Sequence, residues 1–372
     1  MKTSRLGLHR FASLSWNKIK KGPPVLNQLK NPFRGTGLPG LTQMPISDPS
    51  DATALIARCP NYARTPLRNM AGLAADLGLA ELWVKDESGR MGLGSFKALG
   101  AVHAIARDAA ASADGRDLSL ALKDRVYVTA SAGNHGLSVA AGASVFGARA
   151  VIFLAETVPD AFAARLRAKG AEVVRAGAHY EASMVAAADM AAEMGWTLLS
   201  DSTWPGAMDP GTRVMEGYLI MAQEIVAQIT APPTHVLLQA GVGGLAAGVA
   251  AHLRAAWGDA PQIIVAEPNA APAVMESIRA GQLVTAQGPV SNMGRLDCKT
   301  PSLVALAGLA RDADMCVTLS DAEATAGIAH VAEHGLATTP SGGAGLAALC
   351  AGLDLGPDAR VLTVLSEGPE DG

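Results

Sequence analysis

The chain has 372 residues, 49% of them apolar and 17% charged, and a formal net charge of −4. A chain of this length buries a substantial core and is expected to divide into two domains, and so apolar a composition excludes long disordered segments. The small negative charge excludes a polyanion such as nucleic acid as the partner. That charge is unevenly spread. Residues 1–34 carry eight basic side chains (Lys2, Arg5, Arg10, Lys18, Lys20, Lys21, Lys30 and Arg34) and no acidic one, which leaves 22 basic against 34 acidic side chains in the rest. No apolar signal core follows these charges. Residues 1–47 are therefore read as a basic arm lying on the acidic body or on a partner subunit, in preference to a transit peptide. No window approaches the ~18 apolar residues of a membrane span. Cys59, Cys298, Cys316 and Cys350 form no C-x-x-C pair and read as reduced, buried thiols in a cytoplasm.

After a Gly- and Pro-rich passage from Pro32 to Pro45, short β-rich runs alternate with longer helical patterns. The first predicted strand, Glu81–Lys85, runs into Asp86-Glu87-Ser88-Gly89-Arg90-Met91-Gly92-Leu93-Gly94-Ser95-Phe96-Lys97. A glycine-rich turn here opens a helix with a lysine two residues after a serine. Such a layout holds Lys97 at the mouth of a cleft, where a desolvated amine loses its proton more easily and can bond to an aldehyde. Taken alone, Lys97 is equally an ordinary snorkelling helix lysine.

The next predicted strand, Arg125–Thr129, meets Thr129-Ala130-Ser131-Ala132-Gly133-Asn134-His135-Gly136 at the start of a helix over Asn134–Phe146. A small-residue turn opening a helix presents backbone N–H groups to an anion. By itself Asn134 is a helix-capping residue and His135 a packed helix residue. Predicted strands Ala150–Leu154, Ala171–Arg175 and Thr197–Ser200, with a helix over Glu181–Met194, complete a self-contained series of strand–helix units. Asp201-Ser202-Thr203-Trp204-Pro205-Gly206 closes it, and the stretch from Pro205 to Gly211 reads as a loop. A helix over Gly211–Ile229 follows. The strand His235–Gln239 then leads through Ala240-Gly241-Val242-Gly243-Gly244-Leu245 into a helix over Leu245–Trp257.

Only glycine lets a backbone approach a phosphate this closely, and the helix dipole favours the dianion. The turn lacks the lysine of G-x-x-x-x-G-K-[ST]. Counted from Gly241, the third position of a dinucleotide G-x-G-x-x-G holds Ala246, so neither nucleotide motif is present. Predicted strands Gln262–Glu267 and Met315–Leu319, a helix over Asp321–His334 and a last strand, Arg360–Leu365, complete the order, and that strand ends in Ser366. Most of the strands are continuous apolar runs, which indicates an α/β fold of parallel sheets covered on both faces by helices.

Together these motifs resemble the fold type II pyridoxal-phosphate enzymes, the tryptophan-synthase-β type. The longer word Lys85-Asp86-Glu87-Ser88-x-Arg90-x-Gly92-Leu93-x-x-Phe96-Lys97-x-Leu99-Gly100 is similar to that of the diaminopropionate ammonia-lyases. The resemblance spans about residues 50–372. It implies two domains with pyridoxal 5'-phosphate between them: a large one from 48–104 and 206–372, and a small one from 105–205. It implies that Lys97 holds the cofactor and acts as general base, that Gly241, Val242, Gly243, Gly244 and Leu245 take its phosphate, and that Ser366 stands beside its pyridine nitrogen. Ser131, Ala132, Gly133, Asn134 and His135 would cradle the substrate, with Asn134 also on the ring oxygen, and Asp201 would hold a β-ammonium group. The implied activity is α,β-elimination on a small amino acid, 2,3-diaminopropionate or similar, to a 2-oxo acid and ammonia. The alternatives on this fold are a serine, threonine or other hydroxy-amino-acid dehydratase and a β-replacement synthase. No metal is implied, and a homodimer is expected. In one place the chain departs from the ammonia-lyases, which have an aspartate where Ala132 stands; Arg295 is a candidate to face a second anionic group of a substrate.

Overall fold

The computed structural model describes residues 26–113 and 117–369, so the basic side chains from Lys2 to Lys21 lie outside the described residues. The described chain enters through β1 (Asn27–Lys30) and α1 (Ser50–Ile56), then β2 (Leu67–Asn69), α2 (Ala71–Leu77), β3 (Glu81–Asp86) and α3 (Lys97–Ser112). Strand–helix units follow: β4 (Val126–Ala130), α4 (Asn134–Val145), β5 (Arg149–Leu154), α5 (Asp160–Ala168), β6 (Glu172–Arg175), α6 (Tyr180–Met194) and β7 (Thr197–Leu198). Next come α7 (Asp209–Gly217), α8 (Leu219–Gln228), β8 (His235–Gln239), α9 (Gly244–Trp257), β9 (Gln262–Pro268) and α10 (Ala273–Ala280). The chain closes with α11 (Leu303–Asp312), β10 (Met315–Leu319), α12 (Asp321–Glu333), α13 (Ala344–Cys350) and β11 (Arg360–Leu365).

Two sheets result. A four-stranded sheet in the order β6-β5-β4-β7 is parallel throughout, and a seven-stranded sheet has the order β1-β10-β9-β8-β11-β3-β2. The five central strands of the larger sheet are parallel, with β1 and β2 antiparallel at its borders. Successive side chains of a strand point to opposite faces, and the apolar runs use both. Val236, Leu238, Leu362 and Val364 join Leu253 of α9, Val274 of α10 and Leu309 of α11 in one core. Leu237, Val361 and Leu365 join Leu73 of α2, Val331 of α12 and Leu346 of α13 in another. The fold is therefore the expected α/β arrangement, with parallel sheets between helical layers.

Close helix packing places α3, and with it Lys97. A Cβ on Gly142 of α4 would stand 3.3 Å from the Val102 backbone, and one on Gly217 of α7 would stand 2.3 Å from the Leu99 carbonyl oxygen. Both glycines let neighbouring helices close on α3. Leu99 and Ile105 are fully buried there, at ~1.5–3 kcal/mol of stabilisation for each such side chain.

The elements differ from expectation in three places. The segment Asp209-Pro210-Gly211 is the first turn of α7, not loop, because proline is tolerated where no intrahelical N–H is needed. The helix expected over Gly211–Ile229 is broken at Tyr218 into α7 and α8. Strands β1 and β2 were not expected: Asn-Gln-Leu-Lys and Leu-Arg-Asn are too short and polar to carry an apolar run. Through β1 and the ion pair from Arg34 Nε to Asp314 Oδ1 at 3.1 Å, the described part of the arm lies on the body. Cys316 is buried as expected, whereas Cys59, Cys298 and Cys350 are half-buried; all four are free thiols. No helix among the described residues is long and apolar enough to cross a membrane.

Candidate active site

The turn that delivers Lys97 is anchored from below by charges that never reach solvent. Lys85, Glu87 and Arg90 are fully buried, and all three belong to the charged word read in the sequence. Arg90 donates from Nε to Glu87 Oε2 at 2.7 Å and from Nη1 and Nη2 to Glu224 at 2.8 Å each. Lys85 Nζ donates to Glu224 Oε2 at 2.6 Å and to the Thr65 carbonyl oxygen at 2.8 Å. These groups serve the turn's rigidity, not the cleft. From above, the end of β11 clamps the same turn: Phe96 N donates to Ser366 O and Gly368 N to Gly94 O, both at 3.0 Å. Ser366 is thereby placed one residue's reach from Lys97 and is itself buried.

At the top of the turn Lys97 Nζ pairs with Asp201 Oδ2, and both side chains are about one-fifth exposed. The amine also lies 5.3 Å from the centre of the Phe96 ring. Burial works against the ammonium, but Asp201 outweighs it and holds Lys97 above its ordinary value. The same pairing holds Asp201 below the usual carboxylate range against the effect of its burial. This pairing favours the ammonium form of Lys97, whereas burial by itself favours the desolvated amine expected from the sequence. Ser138 of α4 fixes its backbone, donating from Oγ to Lys97 O at 2.7 Å.

The glycine turn lies beside this pair. Gly243 has φ +92°, a conformation natural only to glycine, and a Cβ on Gly244 would be 3.8 Å from the Asp201 carbonyl oxygen. A Cβ on Gly241 would stand 3.0 Å from Leu296 Cα and 3.2 Å from Cys298 Sγ. Gly244 and Leu245 begin α9, so their N–H groups have no intrahelical acceptor and face outward at the positive end of its dipole.

On the opposite wall, Ser131 Oγ accepts from Gly133 N at 3.3 Å and from Gly136 N at 3.1 Å, and so caps the start of α4. A side chain at Gly136 would collide with the Ser131 carbonyl oxygen at 2.8 Å. Asn134 does not cap. Its amide instead reaches Glu367, whose carboxylate also accepts from Thr339 Oγ1 and from Arg295 Nη1, the latter at 3.2 Å. His135 is buried with Nε2 2.9 Å from the Leu199 carbonyl oxygen, and burial lowers its pKa. Ala132, Gly294, Arg295, Thr339 and Ser341 line a cleft of about 530 Å³.

Lys97, Asp201 and the glycine turn thus lie together, Ser366 joins the same turn through its bond from Phe96 N, and the Ser131–His135 turn is tied in through Asn134, which reaches Glu367 beside Ser366. Three neighbours were not singled out in the sequence. Tyr218 packs on Phe96 with ring centres 4.8 Å apart and planes tilted by 57°, and its buried hydroxyl, without a hydrogen-bond partner among the described residues, is pushed up to about 12 by burial. Cys298 sits under the glycine turn with its thiol raised to about 12, again mainly by burial. Glu367, next to Ser366, is the acceptor that gathers Asn134, Thr339 and Arg295. No local pattern marks the first two, which reach the site from α7's end and from the loop before α11.

Comparison with known proteins agrees with this geometry. The chain is 35% identical over 291 residues to the diaminopropionate ammonia-lyase of Salmonella typhimurium, covering 73% of this chain and 72% of that one. It is 31% identical over 342 residues to the Escherichia coli diaminopropionate ammonia-lyase, covering 83% and 85%. Its fold matches the crystal structure of the Escherichia coli enzyme in complex with D-serine with a TM-score of 0.83 and 28% identity, over 93% of this chain and 94% of that one. The site fits a phosphate-bearing aldehyde: glycines where a Cβ would fill the cradle, helix N–H groups for an anion, an amine at its mouth and an orphaned buried hydroxyl beside it. Residues 59–367 match the model of the pyridoxal-phosphate dependent enzymes, and the chain belongs to that family.

Proposed function

We propose that this protein is a pyridoxal-phosphate-dependent lyase that carries out α,β-elimination on 2,3-diaminopropionate or a close β-substituted amino acid, releasing ammonia and a 2-oxo acid. The observation that carries this reading is the Lys97–Asp201 pair, a carboxylate that already binds an ammonium at the mouth of the glycine cradle. With Lys97 holding the cofactor, Asp201 would be released to pair with the β-ammonium of a diamino acid. Lys97 would hold the cofactor and would serve as the general base for the Cα proton. Gly241, Val242, Gly243, Gly244 and Leu245 would hold the phosphate, Asn134 would serve the ring oxygen and Ser366 the pyridine nitrogen. Ser131, Ala132, Gly133, Asn134 and His135 cradle the substrate carboxylate. Pyridoxal phosphate supplies an electron sink for the negative charge left at Cα.

The two sheets support a division into a large domain (48–104 and 206–372) and a small domain (105–205) behind the arm (1–47), with the cofactor between them. Free, unpaired thiols support a cytoplasmic protein, and we assign it as a homodimer. A second reading, a dehydratase of hydroxy-amino acids, is favoured by Ala132, which puts a methyl group on the cleft wall where the ammonia-lyases have a carboxylate. The test is a panel of β-substituted amino acids scored for ammonia and 2-oxo acid with no second substrate. Turnover of L-2,3-diaminopropionate well above L-serine, with Asp201→Asn raising KM for the diamine far more than for serine, is the expected result. Preference for serine would support the dehydratase, and turnover that needs an added nucleophile would support a β-replacement synthase.

A further inference from the structure

We propose that Asp76, His330 and His334 form a binding site for a divalent transition-metal ion of the zinc type, between α2 and the end of α12 and outside the cleft. The C-terminal turn of α12 reads His330-Val331-Ala332-Glu333-His334, and residues four apart share a helix face. Asp76 comes from α2. One ligand atom from each of the three residues lies within 4.8 Å of the others. His334 Nε2 is 3.1 Å from Asp76 Oδ2, and the two imidazoles meet edge to face with centroids 5.2 Å apart.

A tetrahedral ion at ~2.0–2.2 Å from imidazole nitrogen and carboxylate oxygen spaces its ligands by roughly 3.4 Å, so small side-chain rotations close this set. Burial is graded in a useful way. His330 is only 6% exposed, while the Asp76 side chain is 54% exposed, so the ligands are rooted in protein and open to solvent on one side. Glu333 Oε2 is 3.6 Å from His330 Nδ1 and lies outside this group of three, so the open positions of the ion would be taken by water. The nearby cation, Arg68, is directed to the Gly335 carbonyl oxygen and to Asp86. A histidine near a helix C-terminus and a His–Asp pair are ordinary on their own. What exceeds them is the convergence of two imidazoles and one carboxylate from two helices, with one ligand atom of each within 4.8 Å of the others. Two imidazoles with one carboxylate suit zinc, nickel or copper better than magnesium or calcium.

The ion would tie α2 to the helix that leads, through Gly335 and Leu336, to Thr338 and Thr339 on the cleft wall. The experiment titrates Zn²⁺ into the untagged holoenzyme, previously stripped with a chelator, by calorimetry, with Co²⁺ absorption as a report on geometry. One ion per chain with micromolar or tighter affinity is expected, with at least about a 100-fold loss in His334→Ala. Asp76→Asn, a change at an exposed side chain, is expected to weaken binding and alter the cobalt spectrum while the fold is kept. Millimolar binding, or binding unchanged in both His334→Ala and Asp76→Asn, would overturn the proposal, and neither result bears on elimination activity.

Discussion

Replacing Glu224 by glutamine removes one charge from a cluster in which two cations and two anions balance out of water. Lys85, Glu87 and Arg90 are fully buried and Glu224 is 2% exposed. Glutamine has nearly the same shape, so the perturbation is electrostatic: Lys85 and Arg90 are left with Glu87 alone. Breaking a buried pair by removing one partner costs about 3–5 kcal/mol, a large share of the ~5–15 kcal/mol by which folded domains exceed unfolded ones. A pH dependence comes with it. Burial already pushes Lys85 below its ordinary value, and Glu224 opposes that push. In the variant the amine is pushed lower still, so the folded state binds fewer protons than the unfolded one and stability rises with pH toward the ordinary lysine value. Urea unfolding across pH 6–9 measures this, with cofactor absorbance as a second readout, since the same cluster anchors the turn that ends in Lys97. Lys85→Met combined with Glu224→Gln restores the charge balance and is expected to recover most of the loss. A penalty under about 1 kcal/mol, or a double variant no more stable than the single one, would refute the assignment of this cluster as the turn's foundation.

Other substitutions probe the site and its surroundings. Ser366→Asp is expected to keep the cofactor but slow elimination and raise transamination, seen as a changed ratio of 2-oxo acid to pyridoxamine form, because a carboxylate would hold the pyridine nitrogen protonated. The wild-type enzyme is expected to prefer one enantiomer, most simply L, and Ala132→Asp to add turnover of the other, with ~10²–10⁴-fold as the scale of general-base help. Equal kcat/KM for both enantiomers in the wild type would point to another base. Glu267, fully buried between Val274 N and Met275 N, is raised to about 8 by burial. Its contribution is complete below its ordinary value of 4.5 and is lost as pH rises through 8, by up to about 5 kcal/mol. Melting temperature should therefore fall over that window in the wild type and much less in Glu267→Gln.

The parts of the fold that sequence announces are those whose signal is local. Strands His235–Gln239, Met315–Leu319 and Arg360–Leu365 have the bounds their apolar runs suggest. The turns that open α3, α4 and α9 also lie where small residues interrupt those patterns. What is not legible is partnership across distance. Lys85, Glu87 and Arg90 look like a charged strand end facing solvent until Glu224, more than a hundred residues later, is seen to neutralise them. Lys97 reads as a free amine until Asp201 is placed against it, and Asn134 as a cap until Glu367 takes its amide. Tyr218 is one aromatic in a helical pattern, and only the break between α7 and α8 shows that its ring turns toward Phe96.

The two antiparallel strands at the borders of the large sheet bear on which surfaces the sheet offers to other chains. A parallel sheet without them would end in β10 on one side and β3 on the other, each with a free row of backbone donors and acceptors backed by apolar side chains. Such borders are templates for sheet-to-sheet association between molecules. A strand of four residues on one side and of three on the other occupies that row: Asn27–Lys30 covers β10 and Leu67–Asn69 covers β3. Lys30, lying at the outer margin, adds a charge where a stacking neighbour would have to approach. The segment that carries β1 thus covers the margin of β10, and a chain beginning at Asn31 is expected to associate more readily through that margin, as light scattering would show.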